Sequence, residues 1–120
     1  MLFDVTRTTI ADRAALTVRG EVDIATSPQL VEAAASLLDA RPEAVVIDLG
    51  PTRFLDSSGA RALVGIARRA AATGVELHVI APRSNRPVWL PIELLQLDRV
   101  IPFVSSAAEI PNAAAGRDAP

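Results

Sequence analysis

Ala44-Val45-Val46-Ile47-Asp48-Leu49-Gly50-Pro51-Thr52-Arg53-Phe54-Leu55-Asp56-Ser57-Ser58-Gly59 is the stretch on which the reading of this chain turns. Its first six residues form a short run that is apolar except for Asp48, the pattern of a strand covered on both faces. Pro42 bars a preceding helix from running into that strand, and Gly50-Pro51 marks a turn after it. Beyond Gly59 the period changes to that of a helix reaching about Thr73. Ala60, Leu63, Val64, Ala67 and Ala70 fall on its inner face and Arg61, Arg68 and Arg69 on its outer one, and Gly74 stands at its C′ stop. A buried strand that passes through a short polar segment into an amphipathic helix is a building unit of an α/β sheet.

Upstream, Leu2 to Ile10 and Ala14 to Arg19 alternate apolar with polar residues around Ala11-Asp12-Arg13 and predict a hairpin, with Gly20-Glu21-Val22-Asp23 ending its second strand. Thr26-Ser27-Pro28 predicts a hydroxyl N-cap and a helix over about Pro28 to Ala40, with Leu30, Ala33, Ala34, Leu37 and Leu38 on one face. Downstream, Val75 to Ile80 reads as a strand, Arg86 to Leu95 as a helix interrupted by Pro87 and Pro91, Val100 to Val104 as a last strand, and Ser106 onward as a short helix. The order β-β-α-β-α-β-α-β-α predicts an α/β fold with a mixed four- to five-stranded sheet and helices mainly on one face. One domain is expected over residues 1–110. Residues 111–120 carry no large apolar group and are expected to form a disordered C-terminal tail.

With 50% hydrophobic but only 3% aromatic residues, the core must be aliphatic. The net charge of -2 and the singly scattered arginines offer no stripe that would neutralise successive phosphates, so nucleic acid is not an expected partner. One histidine and no cysteine leave no metal-ligand spacing, disulfide or redox motif, and no cofactor is expected. Asp4 and Arg7 interrupt the apolar start, so neither a signal peptide nor a membrane span is read there, and a cytoplasmic protein is expected.

Asp56-Ser57-Ser58 lies between strand and helix, where the first helical N–H groups lack partners. Capping alone accounts for one of these side chains, since Asp and Ser are favoured N-caps worth about 1 kcal/mol. A serine nucleophile would need a base, and the only histidine, His78, sits in a segment that reads as strand. Gly50 and Gly59 do not form a phosphate-cradling loop, and Asp48 lacks the earlier acidic pair of a receiver domain. Trp89 is read as a core residue more readily than as a partner contact.

Four segments in order, Gly20-Glu21-Val22-Asp23, Val45-Val46-Ile47-Asp48-Leu49, Phe54-Leu55-Asp56-Ser57-Ser58-Gly59 and Leu97-Asp98-Arg99-Val100, resemble the STAS family of anti-sigma-factor antagonists, over roughly Leu16 to Ile110. The chain departs from the family pattern at Ala60 and Gln96. The resemblance implies a STAS-like fold in which Ser57 is the phosphate acceptor, with Asp23, Asp56, Ser58 and Gly59 as its neighbours and Ser58 as a structural cap. It also implies a partner surface of Glu21, Asp23, Thr26, Arg61 and Arg68, to which Arg69 adds a third arginine. In the implied mechanism the unmodified protein binds an anti-sigma factor that is a serine kinase and so releases a sigma factor. Phosphorylation of Ser57 reverses this, and a PP2C-type phosphatase resets it. The chain would be substrate and ligand, not an enzyme. The alternative within the family is a scaffold subunit of an ABC-type lipid-transport complex without a phosphate switch, and a small-molecule or nucleotide sensor is a third option.

Overall fold

Ala11 and Asp12, with φ of 52° and 62°, make a two-residue turn in which both residues are left-handed, the geometry whose twist matches that of paired strands. It joins β1 (Asp4–Ile10) to β2 (Arg13–Val22) in antiparallel register from Asp4↔Arg19 to Ile10↔Arg13. The computed structural model describes residues 3–111. After α1 (Ser27–Asp39) the apolar run forms β3 (Ala44–Asp48), parallel to the first half of β2, and β5 (Glu76–Ile80) lies parallel to β3 on its other side. A two-residue β6 (Phe103–Val104) closes that edge, giving the order β1-β2-β3-β5-β6.

A sixth strand, β4 (Thr52–Leu55), exceeds the four or five expected. The chain leaves β2 after β3, turns at Leu49 to Thr52, and pairs again with the far half of β2 through Gly20↔Thr52 and Val22↔Leu55. The buried Thr52 hydroxyl donates to the Val18 carbonyl at 2.8 Å and anchors the return. One strand thus carries two neighbours in succession, and Phe54-Leu55, assigned to no strand from the sequence, belongs to one.

Leu16, Val18, Val45, Ile47, Leu77 and Val79 share the sheet face that is packed by α1, by α2 (Ser57–Thr73) and by α3 (Arg86–Leu94). Leu30, Leu37 and Leu38 of α1, Leu63 and Ile66 of α2, and Val88 and Ile92 of α3 complete this core. On the opposite face a smaller cluster joins Ala15, Val46 and Ile80 to Ile110. Helices therefore cover mainly one face, as expected.

The C-terminal third differs in detail. Pro87 fits the first turn of α3, while Pro91 sits inside the helix, which ends soon after at Leu94. Leu97–Arg99 and Ala107–Glu109 are single 3₁₀ turns, so the expected strand shrinks to Phe103–Val104 and the expected last helix to one turn. Trp89 is 4% exposed, edge-on to Phe103 at 5.9 Å, with the Arg83 guanidinium 4.5 Å from its ring centre. The core reading of Trp89 is the correct one. Of the expected tail, only Pro111 lies within the described residues, and its carbonyl accepts from the buried Arg13 guanidinium.

Candidate functional site

β2 ends at Val22 and β4 at Leu55, side by side, and both chains then leave the sheet at the same end. The Asp56 N–H donates to the Val22 carbonyl at 3.2 Å, which stitches the two exits together. Asp56 keeps an extended backbone (φ −100°, ψ −170°) while its carboxylate accepts from the Gly59 N–H at 3.0 Å. Asp56 is therefore the N-cap of α2, and Ser58, expected to cap, is already inside the helix. The reason is tertiary: the bond to Val22 fixes Asp56 in extended backbone at the strand's end, where its carboxylate reaches the Gly59 N–H, so helical angles begin at Ser57, ahead of Ser58.

Gly59 explains how closely the helix start approaches β2. A Cβ there would stand 2.5 Å from Leu55 Cδ1 and 2.8 Å from the Val22 carbonyl oxygen. Only a residue without a side chain lets the first turn of α2 seat on that carbonyl. Ser57 is consequently the first helical residue, exposed, with neither it nor Ser58 making a side-chain hydrogen bond among the described residues.

The neighbouring loop is knotted by Asp23. Its carboxylate accepts from the N–H groups of Ala25 (2.9 Å) and Thr26 (3.0 Å), and the Thr26 hydroxyl donates to the Glu21 carbonyl at 2.7 Å while accepting from the Asp23 N–H at 2.9 Å. The hydrogen bond from the Thr26 backbone, aided by that from Ala25, holds the Asp23 carboxyl below its ordinary range, so it is ionised at neutral pH. The Thr26 hydroxyl thus ties the loop rather than capping α1, as the sequence suggested.

The sheet end brings together Glu21, Asp23, Thr26, Asp56, Ser57, Ser58 and Gly59, with Arg61 one turn further along α2. Arg68 is exposed but about 16 Å along the helix from Ser57, at 1.5 Å per residue. Arg69 is engaged within the domain, donating to Asp39 of α1 at 2.9 Å, and is not a free cation on that face. His78 is on β5 in register with Val46, with the Glu76 carboxylate at 3.6 Å. Sequence reasoning missed Ile24, next to Asp23 and 79% exposed. Its only signal was a large aliphatic residue inside a polar loop. Among the described residues no helix is long and apolar enough to cross a membrane.

Residues 5–110 match the family model of the STAS domain. The chain belongs to the STAS family. As a STAS domain it is 33% identical over 101 residues to the anti-sigma-F factor antagonist RsfB of Mycobacterium tuberculosis, covering 82% of this chain and 80% of that protein. Its structure resembles that of an anti-sigma factor antagonist from Mycobacterium paratuberculosis, with a TM-score of 0.77 at 25% identity over 98% of this chain and 96% of the other. The Bacillus cell fate determinant SpoIIAA in its phosphorylated form shares the fold, with a TM-score of 0.57 at 16% identity over 97% and 98% of the two chains.

Proposed function

We propose that this STAS domain is an anti-sigma factor antagonist switched by phosphorylation of Ser57. Unmodified, it binds in the cytoplasm an anti-sigma factor that is also a serine kinase, and the sigma factor held by that protein is released. The observation that carries this reading is the exposed, unengaged Ser57 hydroxyl at the first position of α2, beside the Asp23 loop. Asp56 already satisfies the cap, so helix stability makes no demand on Ser57.

In the transfer step the Ser57 oxygen attacks the γ-phosphorus of the kinase's ATP, the bond to the β-phosphate oxygen breaks, and the hydroxyl proton passes to a base of the kinase. ADP leaves. The phosphoserine brings about -1.5 to -2 charges to a surface where Asp23 and Asp56 are carboxylates. For a carboxylate placed at an assumed separation of roughly 7 Å the repulsion is on the order of 1 to 4 kcal/mol, and an acidic partner surface is repelled in the same way. The helix N-terminus holds the phosphate without refolding the domain. Glu21, Asp23, Arg61 and Arg68 supply the contact surface, Thr26 keeps its first loop in shape, and a PP2C-type phosphatase removes the phosphate. The name of the relative RsfB supports the antagonist reading.

The test is incubation with ATP, magnesium and the anti-sigma kinases of the same genome, followed by intact mass and phosphate mapping. One phosphate that disappears only in Ser57→Ala is the expected result. A phosphate retained in Ser57→Ala, or none with any of the kinases, overturns the switch.

A further inference from the structure

Gly65 lies in the middle of α2 on its exposed side, and a Cβ there would meet nothing within 4 Å. Glycine is the poorest helix former after proline, so Gly65 weakens α2 with no compensating close approach among the described residues. Gly59, by contrast, is required by the Val22 carbonyl. Gly65 lines an open groove of about 600 Å³ between the N-terminal parts of α1 and α2, together with Ile24, Val31, Glu32, Ser58 and Arg61. Ile24 and Val31 are 79% and 41% exposed, so the groove presents aliphatic surface left uncovered among the described residues. Arg61 of α2 and Glu32 of α1 stand on its two sides, and neither has an ion-pair partner among the described residues.

We propose that this groove seats one amphipathic helix of the anti-sigma partner, an aliphatic side chain filling the space over Gly65 and a carboxylate meeting Arg61. The inference rests on the reading of the Ser57 site above and names what docks beside it. A groove between two helices accepts a third through an apolar stripe, and a bare glycine backbone lets that stripe approach closely. The opposed charges of Arg61 and Glu32 set how it is turned about its own axis: acid toward α2, base toward α1. The groove is also continuous with the candidate phosphosite, because Ser58 forms part of its wall.

That continuity supplies the regulation. Ser57 and Arg61 are four residues apart on α2 and are neighbours on its surface. A phosphate on Ser57 competes for the Arg61 guanidinium and withdraws it from the partner carboxylate. The switch then reaches the groove through one side chain.

The test measures, by calorimetry, affinity for an anti-sigma factor of the same genome, alongside thermal unfolding of each variant. Gly65→Leu melts no lower than wild type yet binds at least tenfold more weakly, since its side chain occupies the partner's place. Val31→Glu on the facing helix gives a loss of similar size, and Arg61→Gln one of three- to tenfold. If wild type binds and both Gly65→Leu and Val31→Glu stay within twofold of it, the groove is overturned and the Ser57 reading stands. If no anti-sigma factor of the genome binds wild type, both are overturned.

Discussion

Alanine at Gly59 and at Gly65, on the same helix, is expected to move stability in opposite directions. At Gly59 the new methyl group would lie 2.5 Å from Leu55 Cδ1, 2.8 Å from the Val22 carbonyl oxygen and 3.0 Å from Val22 Cγ1. Leu55 and Val22 are both fully buried, and the Val22 carbonyl also accepts from the Asp56 N–H, so neither can yield without disturbing the sheet end. Overpacking of this kind costs about 1 to 3 kcal/mol. At Gly65 the methyl group enters open space, and the helix gains about 1 kcal/mol from the exchange of glycine for alanine. With an unfolding entropy of about 2.1 cal/mol/K per residue, 1 kcal/mol shifts the melting temperature of a domain this long by about 4 °C. Gly59→Ala should therefore melt about 4 to 12 °C below wild type and Gly65→Ala about 4 °C above it, followed by circular dichroism. A Gly59→Ala protein as stable as wild type, or a destabilised Gly65→Ala, would refute the account of why each glycine is present.

Asp56→Ala should lose about 1 kcal/mol in urea unfolding while Ser58→Ala stays within about 0.5 kcal/mol, because the former removes the cap of α2 and the latter does not. The Asp23 carboxyl is held below its ordinary value of 3.8, so its stabilisation is complete above that pH and is lost as the pH falls through the lower folded-state value. The difference in urea midpoint between wild type and Asp23→Asn should accordingly be flat above about pH 5 and close in acid, and a difference that persists in acid speaks against the hydrogen-bonded carboxylate. A double-mutant cycle on Asp39 and Arg69 should return less than about 1 kcal/mol, smaller still in high salt, since both side chains are largely exposed.

Helix α2 was legible because its period of 3.6 begins sharply after an apolar strand and stops at Gly74, whose φ of 73° is left-handed. β3 was legible from a different signal, a short apolar run bounded by Pro42 and Gly50-Pro51. β4 was not: four residues with only Thr52 and Leu55 buried carry no period, and their strand character comes from β2, some thirty positions earlier. Asp and Ser are equally good caps, so the choice of Asp56 over Ser58 depended on the bond to Val22, which no local pattern contains. The engagement of Arg69 was hidden likewise, since Asp39 lies on another helix. The cluster of Asp23, Asp56 and Ser57 was legible only through its likeness to the STAS pattern. Its geometry follows from Gly59, whose close packing cannot be read from the letter alone.

Displacement of a sigma factor separates the two states of Ser57. A preformed complex of sigma factor and anti-sigma factor from the same genome is titrated with unmodified protein and with protein phosphorylated at Ser57, and free sigma factor is measured. The unmodified form is expected to release sigma factor, and the phosphorylated form to be weaker by at least tenfold. Equal release by both forms, or release by neither, would contradict the switch.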